Sequence, residues 1–85
     1  MTLEELQAAG WEKDGEVLAK TFKFKNFSEA FGWMTRVALA AEKADHHPDW
    51  SNSWNRVDVR LTTHSEKALT EKDMKLASVM ERLAD

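Results

Sequence analysis

The sequence predicts an α+β fold, a four-stranded antiparallel sheet with three helices packed over one face, in the chain order α-β-β-α-β-β-α. Three observations carry that prediction. Apolar residues alternate with polar ones over 18–25 and 56–63, the period of half-buried strands. They recur every three or four residues over 27–41 and 76–84, the period of helices with one buried stripe. An Asp14-Gly15 pair separates two short runs, which favours a tight hairpin.

The elements follow in order. Thr2 with Glu5 fits a capping box, Leu3 and Leu6 give a short apolar stripe, and Gly10 is placed to end a small first helix. Trp11–Lys13 and the run 16–25 form the hairpin arms, with Leu18, Phe22 and Phe24 facing inward. From Phe27 the period lengthens, and Phe27, Ala30, Phe31, Met34, Val37, Ala38 and Ala41 mark the buried side of the longest helix. Trp33 falls off this stripe and reads as a subunit-interface residue. The helix is expected to stop near Asp45 or His46, because Pro48 disfavours α conformation in the residue before it. Trp50–Trp54 forms a third strand, and Val57, Val59 and Leu61 alternate with Arg56, Asp58 and Arg60 in a fourth. Thr70 and Asp73 make a capping-box start for the last helix, whose inner face is Leu76, Ala77, Met80, Leu83 and Ala84. Asp73 thus reads as a helix cap rather than a catalytic group.

No linker, repeat or low-complexity stretch divides the 85 residues, so residues 1–85 are expected to form a single domain. A chain this short buries only about 60–65% of its unfolded surface, and self-association into a homodimer or tetramer is the expected remedy. The formal charge of −3 opposes direct nucleic-acid binding. The absence of cysteine excludes disulfides, thiolate metal sites and a cysteine nucleophile. No apolar run suits a membrane span and the acidic start does not suit a signal peptide, so a cytoplasmic protein is expected.

The three histidines fall in two short segments, Asp45-His46-His47-Pro48-Asp49-Trp50 and Thr62-Thr63-His64. Imidazoles donate and accept protons near neutral pH, so this concentration suits a reaction needing both an acid and a base. If the long helix reaches His46, Glu42 shares its face one turn earlier and favours its imidazolium, making His46 an acid. A metal triad of two histidines and a carboxylate is the competing reading, although no His-Glu-x-x-His spacing is present. No serine has a Gly-x-Ser-x-Gly context.

The stretch Phe27-Ser-Glu-Ala-Phe-Gly-Trp-Met-Thr-Arg-Val-Ala-Leu-Ala-Ala-Glu-Lys-Ala-Asp-His-His-Pro-Asp-Trp50, with Trp54-Asn-Arg-Val57, Leu61-Thr-Thr-His64 and Leu69-Thr-Glu-Lys-Asp73, resembles the pterin-4a-carbinolamine dehydratases over nearly the whole chain. The resemblance implies a small α+β subunit assembled as dimers or tetramers. It also implies dehydration of a 4a-hydroxytetrahydropterin to the quinonoid dihydropterin, which recycles tetrahydropterin, with no metal or organic cofactor. Carried over to this sequence, it places His46, His47 and His64 around the pterin, with His46 as acid, His64 as base and His47 on the hydroxyl. Glu42 would orient or charge one imidazole, and Asp45, Thr62, Thr63 and Ser65 would hold the polar edge of the ring. Some animal relatives also act as dimerisation cofactors of a transcription factor, which makes a binding role the alternative, beside a metal-dependent lyase. Ser65, Ala68 and Trp54 depart from an acidic residue, a glycine and a tyrosine that are frequent in the family.

Overall fold

The computed structural model describes residues 1–85 and has the expected chain order. The elements are α1 (Leu3–Ala8), β1 (Glu12–Asp14), β2 (Val17–Lys23), α2 (Phe27–Ala44), β3 (Asp49–Ser53), β4 (Arg56–Leu61) and α3 (Glu71–Ala84). The strands lie in the order β1-β2-β4-β3, and every neighbouring pair is antiparallel. Pairing of Leu18 with Leu61 and Phe22 with Val57 puts these four side chains on the face that the helices cover.

Local chemistry sets the boundaries. Thr2 and Glu5 form a reciprocal capping box at α1, and the Glu5 carboxyl, accepting the Thr2 backbone N–H, is held below its ordinary range. The first hairpin turns at Gly15-Glu16 rather than Asp14-Gly15, because Asp14 is still paired with Val17. Only Gly15 takes positive φ there, at 60°, so the glycine leads the turn. Asn26 caps α2 by accepting from the Glu29 backbone N–H at 2.9 Å.

Trp33 is a correction to the sequence reading. It is fully buried at the centre of the core, its ring 4.6 Å from Phe22, 5.1 Å from Phe24 and 6.2 Å from Trp50. Its indole N–H donates to the Met80 carbonyl at 3.1 Å, tying α2 to α3. The buried stripe is Ala30, Trp33, Val37 and Ala41, while Phe27 and Phe31 are half-exposed. At about 100° per residue, the apolar arc from Ala40 round to Phe31 spans about half the helix. The sheet and α3 cover only the side that holds Trp33. One core of 14 buried residues results, running from Leu6 through Trp11, Trp33 and the sheet to Met80. At its edge Lys20 and the Trp11 indole both meet Glu81, at 2.6 and 2.8 Å.

Two tryptophans test this phase. Trp33→Ala removes contacts with three rings and a hydrogen bond, and should cost about 3–5 kcal/mol in urea unfolding. Trp54→Ala, at the exposed β3–β4 turn, should stay within about 0.5 kcal/mol. Equal losses would contradict the packing of α2.

Candidate active site

The long helix does not reach His46. Asp45 adopts the left-handed conformation, with φ 53° and ψ 43°, and ends α2. Its N–H bonds the Ala41 and Glu42 carbonyls, and the His46 N–H reaches back to Ala41 O at 3.1 Å, in the manner of a Schellman cap. The reversal swings His46 inward and leaves His47 outside. The expected pairing of Glu42 with His46 is therefore not formed. Glu42 Oε1 meets His47 Nε2 at 3.0 Å instead, an ion-pair geometry in solvent.

His46 has a different partner. Its Nε2 lies 2.6 Å from Oδ1 of Asp73, a carboxylate with no solvent exposure, and the ring itself is nine-tenths buried. The other oxygen, Oδ2, accepts from the Thr63 hydroxyl at 2.8 Å and from the Thr70 backbone N–H at 2.9 Å. With its proton given to Asp73, the Thr63 hydroxyl accepts from the Thr70 hydroxyl 2.6 Å away. A carboxylate can only accept, so opposite ionised Asp73 the fitting His46 tautomer is the one that carries its proton on Nε2 and donates it to Oδ1. His46 Nδ1 has no protein partner, and no buried side-chain nitrogen or oxygen is left unpaired, so Nδ1 opens on solvent. Asp73 is the functional candidate that sequence reasoning missed. Its Thr-x-x-Asp context announced the cap, and the cap is present, but one oxygen of a capping carboxylate remains free for a partner that spacing does not reveal.

The sheet brings the third imidazole alongside. Asp49 opens β3 opposite Arg60 of β4, so the segment entering β3 runs beside the one leaving β4. His64 lies in the tight loop that the Thr63–Ala68 bridge closes, and its Nε2 stands 3.2 Å from Asp49 Oδ2. Each imidazole therefore faces its own carboxylate. No three acidic or imidazole groups are placed to hold one metal ion.

Asp45, His46, His47, Thr62, Thr63, His64, Ser65 and Lys72 line one cleft of about 330 Å³ without an apolar residue, a size that suits a small ligand. Lys72 was not anticipated. Thr63 lines the cleft, yet its hydroxyl is committed to Asp73 and Thr70 and its backbone to Ala68 and Glu66. It supports the site rather than offering a free polar group. A larger hollow, about 560 Å³, lies on the uncovered face of the sheet around Thr21, Asp58 and Arg60 and contains no imidazole. Chemistry rather than size locates the site.

Comparison with known proteins finds relatives over most of the chain. The family model described as pterin 4 alpha carbinolamine dehydratase matches residues 1–83. Proteins of Brucella ovis and Brucella canis, each called "Putative pterin-4-alpha-carbinolamine dehydratase", are 57% identical over 77 residues, covering 88% of this chain and 79% of theirs. A crystal structure of a transcriptional coactivator/pterin dehydratase from Brucella melitensis superposes with a TM-score of 0.90 at 49% identity, covering 100% of this chain and 98% of that one. A pterin dehydratase-like protein described as a RuBisCO assembly factor in the alpha-carboxysome shares the fold, with a TM-score of 0.73 at 20% identity over 87% of this chain and 86% of its own.

Proposed function

The chain belongs to the pterin 4 alpha carbinolamine dehydratase family, and on that premise we propose that it eliminates water from a 4a-hydroxytetrahydropterin to give the quinonoid dihydropterin. The observation that carries the reading is the Asp73-anchored His46, set in one polar cleft with His47 and His64. In the reaction the C4a–O bond breaks, N5 loses its proton, the C4a=N5 double bond forms and water departs. One group must take a proton and another must give one.

The geometry supports a changed division of labour. His46 was expected to be the acid because of Glu42, which it does not meet. Holding Nε2–H against Asp73 leaves the Nδ1 lone pair free, so His46 is the base at N5, and Asp73 stabilises the imidazolium that forms. His47 and His64, both exposed and each facing a carboxylate, supply the proton to the departing hydroxyl. Asp45 and Ser65 hold the polar edge of the ring, Thr62, whose hydroxyl donates to the Glu16 carbonyl at 2.7 Å, offers only an acceptor there, and Glu42 positions His47. Turnover of synthetic 4a-hydroxytetrahydropterin, followed by the absorbance of the quinonoid product in the presence of a chelator, tests the reading. His46→Ala should lower kcat/KM by about 10²-fold or more. Glu42→Gln, which breaks a solvated pair worth about 0–1 kcal/mol, should lower it by no more than about fivefold. No turnover, or the reverse order of losses, would refute the assignment.

The same proposal includes self-association. Phe27 and Phe31 lie 5.7 Å apart on α2 and are each at least half exposed, a face that burial against a second copy would cover. Light scattering at micromolar concentration should give a multiple of the 9.8 kDa subunit mass; a monomer mass alone would contradict it. This face also favours a second reading, a protein-binding role in line with the coactivator description of the Brucella melitensis relative. His46→Ala separates the two readings, since it removes dehydration and leaves the α2 face intact.

A further inference from the structure

Beside the polar cleft runs a second depression of about 260 Å³, between the last turns of α2 and the first turns of α3. Its lining is of opposite character. Ala40 and Ala44 from α2, with Leu76 and Val79 from α3, make an apolar floor, and Lys72 and Lys75 stand at its rim. The two hollows are joined, because His46 and Lys72 line both. Neither lysine forms an ion pair: the pairs of the chain involve Lys20, Arg56 and the three histidines. Lys72 also sits in the first turn of α3, where the helix dipole favours anions over cations. The two ammonium groups beside this apolar groove have no protein partner.

We infer that this groove is a subsite for the C6 substituent of the pterin, and that the substituent it fits has an apolar stem and an anionic end, a carboxylate or a phosphate. The inference rests on the dehydratase reading and adds the class of substrate. C6 is bonded to N5, the ring atom assigned to His46. A substituent on C6 therefore leaves the ring beside His46, where the apolar groove begins. Its stem meets Ala44 and Leu76, and its charge meets Lys72 and Lys75.

Fluorescence titration with unreactive 7,8-dihydropterins tests this without turnover. The probes carry methyl, pentyl, 4-carboxybutyl or 4-phosphonobutyl at C6. Pentyl should bind about fivefold tighter than methyl, for the apolar surface buried, and at least one anionic probe about threefold tighter again, with that last gain lost at high salt. Lys75→Glu, which touches only the groove, should abolish the anionic gain and leave methyl and pentyl within about twofold. Equal affinities for all four probes in the unmodified protein, or an equal loss for all four in Lys75→Glu, would overturn the subsite. The matching 4a-hydroxy compounds separate it from the reading beneath it. If none turns over while the anionic preference persists, dehydration is wrong and the subsite stands; turnover without preference removes the subsite alone.

Discussion

The Asp73 carboxylate is completely buried, and a charge withdrawn from water costs several kcal/mol unless every lone pair finds a donor. Its donors come from three separate parts of the chain: the Thr70 N–H at the start of α3, the Thr63 hydroxyl beyond β4, and His46 after α2. Satisfying one group therefore fixes the start of one helix against the end of another and against the exit from β4. The same contacts fix which nitrogen of His46 opens on solvent. On the proposed mechanism, stability and chemistry depend on one side chain, because the imidazole assigned as base is held by the interaction that satisfies buried Asp73.

Around this point the sheet acts as the alignment device. Antiparallel pairing of β3 with β4 places Asp49 opposite Arg60, which carries His47 and Pro48 past the Thr62–His64 segment. The left-handed turn at Asp45 sends two adjacent histidines into different surroundings, one buried on Asp73 and one exposed on Glu42. The departure of the chain from helical geometry is what differentiates two neighbouring residues of the same type.

Much of this was legible in the sequence because it rests on local rules. Alternation over 18–25 and 56–63, helical periods over 27–41 and 76–84, the capping boxes at Thr2 and Thr70, and Pro48 after the long helix carried the order of the elements. The phase of α2 was not legible, since its apolar residues cover about twice the arc that the sheet buries, and periodicity alone does not say which half faces in. Trp33 was misplaced for that reason. The clustering of His46, His47 and His64 pointed to the cleft that all three line, whereas the carboxylate partners did not follow from spacing. Glu42 is four residues from His46, but a single left-handed residue redirects the chain. Asp73 is 27 residues away and reaches His46 only through the packing of α3 against the end of α2.

The central claim is that Asp73 serves catalysis through His46 and not only through the cap of α3. A double-mutant cycle on kcat/KM, at a temperature where all four proteins are folded by circular dichroism, measures this directly. Asp73→Asn should lower kcat/KM in the unmodified background by about tenfold or more, and should have no further effect once His46 is alanine. Independent, multiplying losses from the two substitutions would contradict the account.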